Sequence, residues 1–91
     1  MSQFDGLRVI WLEAFVRAAE SRKRTAAAKE MGITQGALTK HIQKLEGWLH
    51  MCLIVDGSSP VELLPDGKAF LPVAQEVLRL LSDARRALLQ P

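Results

Sequence analysis

The clearest chemical pattern in this sequence is a row of polar side chains, Gln35, Thr39, Lys40, Gln43 and Lys44. On an α-helix this spacing sets two amides, a hydroxyl and two ammonium groups along one side. Such groups hydrogen-bond base edges and phosphates in a DNA groove. The opposite side carries Leu38, Ile42, Leu45 and Leu49 at steps of four, three and four, the stripe of a helix facing a core. The stretch 34–49 is therefore predicted as one helix with two chemically different faces. An amphipathic helix with a merely solvated face fits the same pattern, so the surrounding elements have to decide.

Those elements are legible upstream and downstream. Thr34 is a candidate N-cap, and Met31-Gly32-Ile33 supplies a glycine where the preceding helix must end and turn. That preceding helix is short and alanine-rich (25–31), with side chains small enough for close helix approach. A short helix, a glycine turn and a polar-faced helix make a helix-turn-helix pattern. A first helix is predicted to end near Ser21, with Asp5 as its cap. It carries two apolar rows, one through Leu7, Ile10, Trp11, Ala14, Phe15 and Ala18 and the other through Val9, Leu12, Val16 and Ala19. Two rows imply packing on two sides. Between the first two helices lies Arg22-Lys23-Arg24, a solvated loop or a phosphate-holding cluster.

After Leu49 the pattern changes. The β-prone runs 51–55 and 61–64, separated by Asp56-Gly57-Ser58-Ser59-Pro60, predict a small two-stranded hairpin. Pro65 and Asp66 then suit the start of a long last helix. Along it Phe70, Ala74, Val77, Leu81, Ala84 and Leu88 alternate steps of four and three, the heptad seam of a helix that packs along another helix. These six are the candidate dimer interface. The alternative is that the last helix folds back on the first helix alone. The expected architecture is mainly α: a three-helix winged helix-turn-helix with a small two-stranded β wing over residues 1–64, followed by a linker and dimerisation helix over 65–91.

Composition narrows the function classes. With 91 residues, 48% hydrophobic and 24% charged, this is one folded domain. One cysteine and two histidines exclude an internal disulfide and a zinc cluster, so neither metal nor cofactor is expected, and Cys52 reads as a small buried residue of the wing. No secretory signal or membrane span is recognisable, which fits a cytoplasmic protein. No motif assembles a nucleophile, a base and an orienting group, so an enzyme is not expected. The net charge of +2 is unevenly spread. Between Arg22 and Lys44 six basic residues face one acid, whereas from Met51 onward four face five. Positive charge therefore gathers on and just before the polar-faced helix, where a polyanion would dock.

The ordered set Leu12-x-x-Phe15, Thr25-x-Ala27-Ala28, Ile33-Thr34-Gln35-x-Ala37-Leu38-Thr39, Ile42-x-x-Leu45-Glu46, Leu53, Val61-x-Leu63 and Gly67 resembles the N-terminal winged helix-turn-helix domain of LysR-type bacterial transcriptional regulators. The resemblance spans nearly the whole chain. It implies a homodimer on double-stranded DNA, with paired linker helices and recognition helices entering successive major grooves of a partly palindromic operator. By position, base contacts fall to Gln35, Gly36, Thr39 and Lys40. Phosphate contacts fall to Thr34, Gln43 and Lys44, with Arg22, Lys23 and Arg24 in the approach. The family's small-molecule effector domain would begin about where the sequence ends. Departures are specific: Arg22-Lys23-Arg24 replaces the usual Gly-Ser-Phe, His50 replaces a glycine, Leu64 replaces a capping threonine, and Asp56 replaces the arginine that usually closes the first wing strand. An acidic wing tip would be repelled by the DNA backbone, and the basic triplet is expected to compensate in part. The competing expectation is a winged-helix interaction module that pairs with another regulator through the last helix without binding DNA itself.

Overall fold

The computed structural model describes residues 1–90, which form four helices: α1 (Val9–Ser21), α2 (Arg24–Met31), α3 (Gln35–Leu49) and α4 (Pro65–Leu89). Helix α1 is the hub. It packs on α2, α3 and α4, and it buries Leu12, Ala14, Phe15, Val16 and Ala18 among them. That uses most of the two apolar rows, though Val9 and Ile10 at their start remain exposed. Its start differs from the expected one. Asp5 lies in a turn with Gly6, whose φ of 80° breaks the helical path, and the N-cap is Arg8 without a side-chain hydrogen bond.

Three helices end on a left-handed residue: α1 on Arg22 (φ 62°), α2 on Gly32 (φ 68°) and α3 on His50 (φ 57°). Glycine adopts this conformation without a Cβ clash. Arg22 and His50 do so at a cost of about 1 kcal/mol each. Both stand where the resemblance places glycine.

The predicted two-stranded wing is reduced to a single antiparallel bridge between Ile54 and Leu63, and no strand forms among the described residues. The bridge is framed by Val55 N–H donating to the Glu62 carbonyl and Leu64 N–H donating to the Leu53 carbonyl, both at 2.9 Å. On either side the backbone is already committed. Met51 N–H goes to the Glu46 carbonyl, Ser58 N–H folds back to Val55, and Val61 N–H donates to the Arg22 carbonyl at 2.8 Å. These donors are therefore not available to extend the ladder. Leu53 and Ile54 are both buried, while Cys52 is exposed, contrary to the expectation for that thiol.

Helix α4 starts with Pro65 at its first turn and runs on through Pro72. Its early part is held by α1. Phe70 stacks at a tilt on Phe15 with ring centroids 6.1 Å apart, Ala74 is fully buried, and the Gln75 amide donates to Glu20 at 3.0 Å. From Arg79 onward every described residue is exposed. Of the six seam residues, Ala74 is fully buried and Phe70 partly buried within the chain, whereas Val77, Leu81, Ala84 and Leu88 lie on the exposed part. Arg79 bridges Glu76 and Asp83 along the exposed face, and its hydrogen bonds hold the Glu76 carboxyl below the ordinary carboxylate range.

Candidate nucleic-acid interface

Helix α3 is fixed from beneath and from its N-terminus. Leu38 and Leu45 are fully buried and Ile42 nearly so, which locks the rotation of the helix. Thr34 caps it, its Oγ1 accepting the Ala37 N–H at 3.0 Å. The opposite face is left open, so Gln35, Gly36, Thr39, Lys40, Gln43 and Lys44 are all exposed. A Cβ on Gly36 would meet only the Thr34 hydroxyl, at 3.9 Å, so nothing within the chain demands a glycine there.

The basic triplet is brought to the head of this helix. Arg22, Lys23, Arg24 and Thr25 line one cleft of about 380 Å³ together with Gln35 of α3 and Ser58 and Ser59 of the wing turn. The turn at Arg22 that starts α2 also supplies the carbonyl that receives Val61 N–H, so the approach loop and the wing are tied through the backbone. Arg24 is half-buried and its Nη1 donates to the Ser58 carbonyl, strapping the triplet to the wing turn. Arg22 and Lys23 remain exposed.

A smaller cavity of about 70 Å³ separates α3 from the wing and is lined by Arg24, Thr39, Ile42, Gln43, Glu46, Ile54 and Asp56. Here sequence reasoning missed a residue. The Glu46 carboxylate turns away from solvent and accepts the backbone N–H of Leu53 at 2.7 Å and of Ile54 at 3.4 Å, clamping the wing to α3. The available signal was a carboxylate near the end of a helix, followed within a few residues by extended backbone whose donors need partners.

The charge pattern favours an anion. Among the described residues, Arg22, Lys23, Lys40 and Lys44 take part in no ion pair. The one acid between Arg22 and Lys44, Glu30, is bound by Arg17 at 3.0 Å; Arg17 also holds Glu13 at 2.9 Å, and these hydrogen bonds raise its pKa above the ordinary value. Asp56 is the acidic contribution of the wing tip, and it lies on the cavity with Arg24 rather than on the cleft of the triplet. Among the described residues no group of histidine, cysteine and carboxylate side chains could hold a metal ion, and no helix is long and apolar enough to cross a membrane.

Three helices around one hub, with an exposed polar face on the third and a bridged turn behind it, define a helix-turn-helix domain. Residues 10–68 match the model of the lysR family of bacterial regulatory helix-turn-helix proteins, and the chain belongs to that family. It is similar to the HTH-type transcriptional regulator YxjO of Bacillus subtilis, 35% identical over 80 residues, which are 88% of this chain and 28% of that protein. It is also similar to YbhD of Escherichia coli, 43% identical over 72 residues, covering 79% and 23% respectively. The chain thus spans about a quarter of the length of these relatives. Among solved structures, the BenM_DBD complex with catB site 1 DNA superposes with a TM-score of 0.78 at 30% identity, covering 93% of this chain and all of that one. The CbnR_DBD–DNA complex gives 0.78 at 31%, covering 92% and 100%.

Proposed function

We propose that this chain binds double-stranded DNA sequence-specifically as a homodimer and thereby regulates transcription. The observation that carries the reading is that the basic triplet shares a cleft with Gln35, at the head of the exposed face of α3, and that Arg22, Lys23, Lys40 and Lys44 take part in no ion pair among the described residues. Gln35, Gly36, Thr39 and Lys40, on the early turns of α3, reach base edges in the major groove. Gln43 and Lys44, further along, meet phosphates, as do Arg22, Lys23 and the hydroxyl hydrogen of Thr34, whose oxygen serves the cap. Arg24 adds charge beside the backbone while holding the wing turn. Gly36 lets the DNA approach closely, a use consistent with the lack of any packing reason for it. The free part of α4 supplies the dimer contact through Val77, Leu81, Ala84 and Leu88, with Val73 and Leu80 widening the strip. That BenM_DBD and CbnR_DBD, matched over almost their whole length, are seen in complexes with DNA supports the same reading.

A second reading is a module that pairs with another regulator through α4 and does not itself bind DNA. The exposed apolar strip of α4 and the acidic wing tip favour it. Selection of bound sites from random duplex DNA, followed by affinity measurement across salt concentrations, separates the two. Enrichment of a partly palindromic sequence bound with a steep salt slope supports the first reading. Absence of binding at low salt, with self-association intact, supports the second.

A further inference from the structure

Helices α3 and α4 do not pack on each other; each packs on α1. A second connection between them runs through one peptide, that of Leu53. Its N–H is held at 2.7 Å by the Glu46 carboxylate of α3, its carbonyl accepts Leu64 N–H at 2.9 Å just before α4 begins, and its side chain is fully buried. The first turn of α4 is pressed directly on this peptide at Gly67. A Cβ at Gly67 would stand 2.0 Å from the Leu53 carbonyl oxygen, 2.9 Å from its carbon and 3.2 Å from its Cα. Gly67 has no positive φ, so the glycine is needed for close approach and not for backbone conformation.

We infer that the Glu46–Leu53–Gly67 joint fixes the angle between the recognition helix and α4, and so sets the spacing of DNA half-sites that two copies can read. Glu46 and Gly67 are positioning residues for specificity, touching no base themselves. The inference rests on the dimeric DNA-binding reading above.

Geometry gives the effect its size. Ordinary contact at Gly67 begins at 3.4 Å, so a Cβ there displaces the first turn of α4 by about 1.4 Å. The buried Ala74 acts as the pivot, roughly 10 Å further along the helix at 1.5 Å per residue. Leu88 lies about twice that distance beyond the pivot and would swing by about 3 Å. Two copies joined along their exposed strips combine their swings, and one base-pair step is about 3.4 Å. The expected change is therefore about one or two base pairs of spacing, large enough to read.

The test uses duplexes carrying two half-sites obtained by selection with the unaltered protein, with the intervening segment lengthened or shortened by single base pairs. Gly67→Ala, shown to be folded by circular dichroism, should move the preferred spacing by about one or two base pairs while leaving the base preference within each half-site unchanged. Glu46→Ala, which frees the Leu53 peptide without adding bulk, should flatten the spacing profile. Its lost negative charge raises affinity equally at every spacing and so leaves the shape of the profile alone. If both variants keep the unaltered spacing profile, the inference is overturned; if Gly67→Ala does not fold, Glu46→Ala decides alone. A different failure, in which the unaltered protein binds DNA as a single copy or with no spacing preference, strikes the dimer reading and takes this inference with it.

Discussion

Helices α3 and α4 start from the same sequence pattern, an apolar row at steps of three and four, and end in opposite situations. The row of α3 is closed inside the chain, with Leu38 and Leu45 fully buried and Ile42 at 6% exposure. The row of α4 is covered only at its beginning, through Phe70 and Ala74, and then emerges: Val77 is 37% exposed, Leu81 52% and Leu88 84%. Periodicity states that a face needs covering; it does not state whether the same chain supplies the cover. For α3 the cover is α1 and α2, and the helix is held rigidly enough to present its polar side. For α4 the second half is left uncovered, and any apolar part of it removed from water would contribute about 25 cal/mol per Å².

The sharpest way to break this comparison is the same deletion in both rows. Leu38→Ala or Leu45→Ala should lower unfolding free energy by about 2–5 kcal/mol, because each empties a fully buried site. Leu81→Ala should change the stability of dilute protein by no more than about 0.5 kcal/mol, the ordinary range for an exposed position, while raising the dissociation constant for self-association. Denaturant titrations at several protein concentrations, with sedimentation equilibrium, read both quantities. A concentration-independent loss for Leu81→Ala as large as that for Leu38→Ala would show that α4 is covered from within.

The next comparison sets α3 against the approach loop. Lys40→Ala or Lys44→Ala should reduce DNA affinity by about 1–3 kcal/mol, with Lys40→Ala also relaxing base preference and Lys44→Ala reducing the salt slope by about one per protomer. Replacing Arg22, Lys23 and Arg24 together by alanine should lower the salt slope and affinity while keeping the base preference. Binding isotherms at stepped salt concentrations measure all of this. If either lysine substitution changes affinity less than loss of the triplet does, the approach loop and not α3 carries the principal grip.

Much of this arrangement is legible in the sequence, and what is not has identifiable causes. The helix spans of α2, α3 and α4, the Thr34 cap, the Gly32 turn and the buried stripe of α3 follow from local rules of spacing and capping, and the structure has each of them. The Asp5 cap failed because Gly6 offers a left-handed turn three residues before the helix starts. The wing shrank to one bridge because its backbone donors are taken by Glu46, Val55 and Arg22, partners from outside the predicted ladder or from within its own turn. Such competition is non-local and leaves no periodic trace. The roles of Glu46 and Gly67 were hidden for the same reason: a carboxylate that clamps a loop and a glycine that admits a carbonyl are defined by the neighbour they meet. The division of the α4 seam depended on where α1 stops covering it, and the repeat itself carries no mark of that point.

The smallest expected effect distinguishes two residues that are alike in backbone and different in place. Arg22 and His50 both end a helix in the left-handed conformation, Arg22 in the basic cleft and His50 at the far end of α3. Replacing either by glycine removes a Cβ clash of about 1–2 kcal/mol, and the looser unfolded chain returns about 0.4–1 kcal/mol of it. Each substitution should therefore stabilise the protein, by about 0.5–1 kcal/mol, in thermal or denaturant unfolding. In DNA binding the two should part. His50→Gly should leave affinity unchanged, whereas Arg22→Gly should weaken it and flatten the salt slope, since a phosphate contact is lost from each copy. Arg22→Gly that stabilises the fold and leaves DNA affinity untouched would remove Arg22 from the interface and leave its strained backbone unexplained.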